Sequence, residues 1–534
     1  MNPINKEIQD IVAYVPDISL ASLAPFLILL LGGIVCLVAD AASDKKGSRR
    51  ILPPIAGVTL IAAIASFFMG LVPSRPFVEG AFYGDFFAQI CCIVCLFAGL
   101  LMVILAPRLI ERRNIPSGEF YTLIIFASLG MCLLAMSNEL LTAFISLEIM
   151  SLSLYVLTGI DRRSGRAAEA AFKYFILGAF ASALLVFGMA FLYGATQTTR
   201  LDLMGQVLAS GYNTLITGET VAVNPVWIYL GFTLVFAGLC FKLTLAPFHM
   251  WAPDVYQGAN TPTAMMIATG SKVAAFAFLI HLVTALSFWE PFAGSAAFII
   301  GLVAIVSMIW GNLAALVQKD FKRMMAYSSV AHTGYMMVGV LVIVSLPALL
   351  QGDDLATATA TVRQAIALYL GGYTIMNVLA FGLAYHLDGE SNMEAYRGLF
   401  WRNPGAAFGM GIAMFSLVGI GFTPPTIGFM GKFYLFKEGV QYGFTAVVVI
   451  AVLASVVSAF YYLGLVTRMF MREPETGDGA VALCGTGAHQ CGLFTSASFT
   501  RMYLIGAGIL IFVLGLLPWL FIGVGQHLAS GIAP

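Results

Sequence analysis

Residues 236–258 read Phe236-Ala-Gly-Leu-Cys-Phe-Lys-Leu-Thr-Leu-Ala-Pro-Phe-His-Met-Trp-Ala-Pro-Asp-Val-Tyr-Gln-Gly258, an apolar run that takes in Lys242, Pro247 and His249 before it ends. Pro247 has no N–H to donate and its ring clashes with the carbonyl four residues back, so a helix cannot pass it unbroken. In hydrocarbon the carbonyls released by such a break need protein or water around them, because lipid supplies no donors. Lys242 adds a cation where a cation is costly. The segment therefore reads as a membrane helix broken beside a charge, provided that the rest of the chain is also embedded.

Composition meets that condition. Of 534 residues 60% are apolar and 10% are charged, against about 25% charged in soluble domains. Apolar runs of about 20 residues, enough to cross roughly 30 Å of hydrocarbon as helix, recur along the whole chain. Fourteen are counted, centred near residues 29, 62, 96, 128, 149, 182, 236, 273, 304, 334, 375, 421, 455 and 514. They are called spans 1 to 14 below.

The 27 Lys and Arg divide between the two sides of these spans. The connections after spans 1, 3, 5, 7, 9, 11 and 13 carry 18, among them Arg112, Arg113, Arg162, Arg163, Arg166, Lys322 and Arg323, while the opposite side carries five. Positive charge is retained in the cytoplasm. The expectation is a multi-pass membrane protein with both termini on the non-cytoplasmic side. No basic start, short apolar core and small-residue cleavage site occur in order, so no cleaved signal peptide is expected and the first span is retained.

Several chemistries find no support. Six of the eight cysteines lie in apolar helices, where small packing residues are the simpler reading, and Cys92 and Cys95 have no second pair to complete a metal site. Cys484, His489 and Cys491 read as an ordinary polar loop, since four correctly spaced ligands are lacking. No Gly-rich nucleotide loop lies between a strand and a helix. The chain is expected to bind no metal and no redox cofactor, and to touch no nucleic acid.

What remains is charge in hydrocarbon. Glu148, Lys173, Lys242, Lys272 and Lys432 fall inside spans, and at about 3 kcal/mol each their insertion costs roughly 15 kcal/mol. That rivals the whole stability of a domain, about 5 to 15 kcal/mol. Such groups persist when they pair or face a hydrated interior, and they usually mark an ion or proton path. The plainer alternative is a structural ion pair or a side chain snorkelling to a helix end. It weighs most for Lys173, which lies near a basic loop and has Glu169 one turn before it. Desolvation disfavours the charged form of a lysine, so a lysine kept from water can load and unload a proton near neutral pH, and a nearby carboxylate tips that balance.

A second break, Gly419-Ile-Gly-Phe-Thr-Pro-Pro-Thr426, interrupts span 12 at Pro424 and Pro425 before Lys432. Two Gly/Pro-interrupted spans in corresponding positions point to an inverted-repeat transporter with its path at the breaks. The breaks lie five spans apart, and a repeat of five must insert upside down relative to its partner. The expected division is 1–115 for spans 1–3, 116–290 for the first repeat (spans 4–8), 291–472 for the second (spans 9–13), and 473–534 for a polar loop and span 14.

The chain resembles the antiporter-like membrane subunits of complex I, the NADH-quinone oxidoreductase, over nearly its whole length. The stretches that carry the resemblance are Ser146–Thr158, Glu169–Phe175, Lys242–Gly258, Ser271-Lys272, Gln318–His332 and Gly428–Phe433. A lysine at 432 and no long C-terminal extension are similar to the N branch of that family rather than to its two sister branches. The resemblance implies an all-α polytopic fold of fourteen transmembrane helices in two inverted five-helix repeats, with helices 7 and 12 broken. It also implies roles: Glu148 as switch carboxylate with Lys173 as its partner, Lys242 as central lysine, His249 and Lys272 as connecting groups, and Lys432 as the residue that releases the proton. NADH or ferredoxin, FMN, iron-sulfur clusters and quinone would then be bound elsewhere in the complex. Other membrane-arm subunits and the bilayer, a bacterial plasma (inner) membrane, would be the partners, and this chain would be a non-redox subunit of a translocating enzyme. Where relatives usually read Gly-Ile-Pro-Pro at the second break, this chain is three residues longer.

Three histidines complete the reading. His281, nine residues from Lys272 and so on the opposite helix face, reads as structural, and so does His386. His332 follows Ser328 and Ser329 and is a secondary candidate for a hydrated path, while Tyr373 and Asn377, a turn apart, either line the same interior or make polar packing contacts. Two rivals share these features: an Mrp-type cation/proton antiporter subunit, and a non-pumping scaffold whose buried charges are paired and inert.

Overall fold

The computed structural model describes residues 20–214, 220–387, 391–419, 426–472 and 497–518. Helices satisfy every backbone group within one segment, which is why apolar sequence in lipid adopts them. The N-terminal half comprises α1 (Ala24–Ala41), α2 (Lys45–Phe68), α3 (Phe86–Arg113), α4 (Ser117–Ala135), α5 (Leu140–Thr158), α6 (Gly165–Thr196), α7 (Leu201–Ser210), α8 (Pro225–Leu243), α9 (Ala252–Gly258), α10 (Thr261–Ala268) and α11 (Gly270–Leu286). There follow α12 (Glu290–Leu316), α13 (Phe321–Leu349), α14 (Gly352–His386), α15 (Leu399–Arg402), α16 (Pro404–Val418), α17 (Ile427–Gln441), α18 (Thr445–Met471) and α19 (Ala497–Leu516). Two short antiparallel hairpins pair Pro76–Phe77 with Phe82–Tyr83 and Tyr212–Thr214 with Thr220–Ala222.

Among the described residues twelve helices are long and apolar enough to cross a membrane, with α10 and α11 together forming one of them. Span 12 is met by the shorter pieces α16 and α17, and span 14 by α19, whose apolar part Ile505–Leu516 is also short. Polar caps start the helices where the hydropathy turns: Asp85 accepts from Ala88 N, Ser164 from Ala167 N and Asp320 from Arg323 N. Each satisfies one of the donors that a helix N-terminus leaves open.

Burial sorts the bundle from centre to rim. The spans Thr261–Leu286 and Gly352–His386 are wholly enclosed over their most apolar windows and Phe321–Leu349 nearly so, whereas α1, α6 and α18 expose most of theirs. The enclosed helices are also those that carry Lys272, His332 and Tyr373. Lipid gives apolar side chains no reason to leave it, so helices hold together by close packing. On α12 and α13 the backbones nearly touch: a Cβ at Gly311 would stand 2.6 Å from Ala331 N, and one at Gly334 2.9 Å from Ala304 O.

Both breaks begin in the same way. The residue after α8, Thr244, has φ 58° and ψ 34°, and the residue after α16, Gly419, has φ 58° and ψ 40°. Left-handed backbone suits glycine; for a β-branched residue it is an outlier that needs support from its surroundings. Pro247 lies in the turn between α8 and α9, while Pro424 and Pro425 lie outside the described residues. The loop carrying Cys484, His489 and Cys491 lies outside them too. The other six cysteines are buried, with Cys92 Sγ facing Cys132 O at 3.5 Å and Cys95 Sγ facing Gly270 O at 3.3 Å, as packing residues do.

Gly311→Leu should force α12 and α13 apart at a cost of about 1–3 kcal/mol. In detergent the variant should melt below the wild type, whereas Gly506→Leu, where nothing lies within 4 Å, should melt with it.

Candidate functional site

Lys242 occupies the last turn of α8 and is 3% exposed. Its Nζ donates to Tyr155 Oη at 2.9 Å and lies 4.9 Å and 5.5 Å above the rings of Tyr155 and Tyr174. Trp251, just beyond the break, stacks on Tyr174 at 4.4 Å and donates at 2.9 Å to Phe241 O, a last-turn carbonyl that also accepts from Thr244 N. An aromatic box thus closes around the lysine and supplies both a hydrogen bond and cation–π attraction.

Glu148 approaches from α5. Its Oε1 accepts from Ser182 Oγ at 2.5 Å on α6. Tyr155 Oη, the partner of Lys242, lies against Gly178, one helical turn from Ser182, in a space that a Cβ at 178 would fill. The carboxylate and Lys242 therefore reach α6 on adjacent turns. Lys173 is elsewhere: its Nζ pairs with Glu169 Oε1 at 2.7 Å and Asp254 Oδ2 at 2.8 Å. The pairing of Glu148 with Lys173 expected from the sequence is not among the contacts made. Ser182 is nine residues after Lys173, which places the two about 13 Å apart along α6 and on opposite faces.

Past the break the polar groups continue inward. Lys272 on α11, 2% exposed, donates through Nζ to Thr244 Oγ1, to Ser329 Oγ and, at 3.0 Å, to Thr333 Oγ1. Thr244 is the left-handed residue of the break, so the lysine holds the side chain of the strained position. His249 is buried beside the rings of Trp310 and Tyr327, and its Nδ1 has no hydrogen-bond partner.

Beyond Ser329 the adjacent Ser328 bonds Tyr462 Oη. His332 bridges Tyr462 Oη at 3.2 Å through Nε2 and Tyr369 Oη at 3.0 Å through Nδ1. Tyr373 packs its ring 5.2 Å from His332, and Asn377 donates to Tyr373 O one turn back on its own helix, a packing contact. Tyr461 donates to Asn312 Oδ1 at 3.1 Å, and Asn312 Nδ2 to Tyr335 Oη at 2.8 Å. Over the Tyr335 ring, at 4.8 Å, lies Lys432 Nζ.

Lys432 is 3% exposed and donates to Val418 O at 2.7 Å and Ser455 Oγ at 3.2 Å. It caps carbonyls that α16 leaves open at its end, as a C-terminal cation should. A groove of about 630 Å³ between α17 and α18, lined by Phe433, Phe436, Val452 and Val456, opens beside it.

The structure thus brings Glu148, Lys242, Lys272, His332 and Lys432 into one polar axis through an otherwise apolar bundle and leaves Lys173 at its rim. Hydroxyls and imidazoles both donate and accept, so most members of the axis can pass a proton on. Tyr155, Ser182, Thr244, Ser329, Thr333, Tyr369 and Tyr462 are members that the sequence analysis did not select. The only signal for any of them was the hydroxyl pair before His332. His281 stands apart as expected, 3.7 Å from Asp85 Oδ1, whose other oxygen takes Arg363 Nη1 at 2.8 Å. Burial works against the Asp85 carboxylate, but His281, Arg363 and the Ala88 N–H outweigh it and bring its pKa down to about 2.

Residues 137–458 match the family model described as NADH:quinone oxidoreductase/Mrp antiporter, TM. NADH-quinone oxidoreductase subunit N of Myxococcus xanthus is 38% identical over 87% of this chain and 92% of its own length. Subunit N 1 of Thermodesulfovibrio yellowstonii is also 38% identical, over 86% and 90%. A chain of respiratory complex I from Thermus thermophilus shares 33% identity and superposes with a TM-score of 0.72 over 93% of this chain and 98% of that one. A chain of the Mrp complex from Dietzia sp., 19% identical, has the same fold, with a TM-score of 0.74 over 96% and 98%.

Lys272→Met tests whether the central cation is kept for stability. Lys272 is held by hydroxyls and not by a carboxylate, so replacing it with an apolar side chain of similar size removes a desolvated cation without stranding an opposite charge. The variant should melt in detergent no lower than the wild type; a loss of several degrees would mark Lys272 as structural glue.

Proposed function

We propose, for a chain that belongs to the NADH:quinone oxidoreductase/Mrp antiporter membrane family and within it to the subunit N relatives, that the polar axis is the route by which protons cross the membrane. The chain is an antiporter-like, proton-translocating membrane subunit of an NADH-quinone oxidoreductase. The observation that carries the reading is the succession of buried polar clusters around Lys242, Lys272, His332 and Lys432, with the half-buried Glu148 held on Ser182 at one end.

The mechanism is electrostatic. Quinone reduction elsewhere in the complex shifts charge near Glu148. A carboxylate that moves toward Tyr155 favours the charged form of Lys242, and one that moves away disfavours it. Lys242 then gives its proton onward, with Thr244 and His249 at the break as the bridge to Lys272. Ser329, Tyr462 and His332 lead from there to Lys432, which releases the proton on the far side. Export of one charge against 100 mV costs about 2.3 kcal/mol, which a shift of under two pKa units in a buried group supplies. Protons enter from the cytoplasm, where the basic loops lie, and leave outside, where both termini lie. NADH or ferredoxin, FMN, iron-sulfur clusters and quinone belong to other subunits, and the exposed faces of α1, α6 and α18 are available to lipid or to membrane-arm neighbours.

The two breaks, each opened by a left-handed residue beside a buried lysine, support the inverted-repeat reading and a count of fourteen spans with α16–α17 and α19 included. The likeness to the Mrp chain is one of fold; the likeness to subunit N extends to sequence, which favours the redox-coupled reading.

In membranes carrying the assembled complex, Lys242→Ala and Glu148→Gln should each lower quinone reduction and proton pumping together, by tenfold or more for Lys242→Ala, with assembly intact on a native gel. Wild-type rates in both variants would leave the scaffold reading. Sodium-dependent proton flux in vesicles without an electron donor would instead favour an antiporter.

A further inference from the structure

Lys173 is a cation in a span that the proposed path does not take up, and its partners explain why. Asp254 receives Lys173 Nζ on Oδ2 at 2.8 Å and Arg323 Nη1 on Oδ1 at 2.6 Å. Arg323 also reaches Gln257 Oε1 at 3.2 Å, and Gln257 Nε2 donates to Asp320 at 2.8 Å. Lys322 Nζ caps the end of α9 through Ala259 O at 2.8 Å. Every one of these bonds grips α9 from α6 on one side or from the start of α13 on the other.

Helix α9 is seven residues long, too short to hold its own shape, yet it is the second half of the broken span. Trp251 immediately precedes it and closes the box around Lys242 by stacking on Tyr174, the neighbour of Lys173. Where α9 sits therefore decides where Trp251 and His249 sit. Glu148, by contrast, bonds the opposite face of α6 about 13 Å away along the helix.

We propose that Lys173 and Asp254 are positioning residues, an ion-pair clamp with Arg323 that fixes α9 and, through it, the geometry of the Lys242 break, and that Lys173 keeps its proton and relays none. The inference rests on the relay reading. It differs from that reading in what arginine does. Arginine keeps the charge and offers a fork that fits a carboxylate, but it does not give up its proton in a protein. In a clamp it serves; in a relay it fails.

The test uses membranes with the full complex, with assembly measured by native gel and pumping measured per quinone reduced. Lys173→Arg and Asp254→Glu should keep at least half of wild-type pumping. Lys173→Ala and Asp254→Asn should each lower it severalfold, and the double variant should be no worse than Asp254→Asn alone, because that change already removes the carboxylate on which Lys173 and Arg323 meet. Lys242→Arg, at a relay position, should collapse pumping. If Lys173→Arg falls as far as Lys173→Ala, if Asp254→Asn pumps like the wild type, or if the two losses multiply, the clamp is wrong. Should Lys173→Ala fail to assemble, the contrast between Lys173→Arg and Lys242→Arg decides. Failure of the relay itself is read separately, as normal pumping in Lys242→Arg and Glu148→Gln.

Discussion

Lys272 sits at the centre of the bundle with its ammonium on the hydroxyls of Thr244, Ser329 and Thr333. An unpaired cation there would cost several kcal/mol, and no carboxylate is among its contacts. Hydroxyls solve the problem in a particular way: they stabilise the charged lysine, and they can themselves take and pass on its proton. The rest of the structure follows from placing them. Thr244 can reach the lysine only because span 7 breaks and turns left-handed there, and Ser329 and Thr333 reach it from α13 only because α10–α11, α13 and α14 enclose the same volume.

The breaks serve the charges in return. A broken helix leaves carbonyls with no donors, and in hydrocarbon those need an internal partner. At span 7 Trp251 joins Thr244 N in donating to Phe241 O, and at span 12 Lys432 itself donates to Val418 O. A lysine that caps a helix end while it lies over Tyr335 is bound by contacts to a neutral carbonyl, a neutral hydroxyl and a ring. Proton loss leaves no buried carboxylate unpaired, which suits a group that must alternate between two states. Lys173 is held by full ionic partners and by the same logic suits a fixed role.

Hydropathy and charge are properties of a stretch, so the spans, the breaks at Pro247 and near Pro424, and the lysines that do not belong in lipid were all legible in the sequence. What each lysine touches was not, because the partners lie far along the chain: Tyr155 is 87 residues from Lys242 and Ser329 is 57 from Lys272. Lys173 shows both sides of this. Its local partner Glu169, one turn away, was visible as the plain structural reading, whereas Asp254, 81 residues on, was not. The expected match of Glu148 with Lys173 followed the family pattern, while the helix geometry of α6 sets them on opposite faces. For His332 a hydroxyl-rich neighbourhood was enough to mark it, since the serines precede it on one helix.

The step that most needs proof is the crossing from Lys272 to Lys432, where Tyr462 hydrogen-bonds both Ser328 and His332. The direct measurement is the number of protons pumped per quinone reduced by assembled complex carrying Tyr462→Phe, in sealed vesicles. Phenylalanine keeps the ring and its packing and removes only the hydroxyl. A fall in that ratio, with assembly unchanged, is the result the account predicts. A wild-type ratio at a wild-type rate would mean that protons do not pass this way.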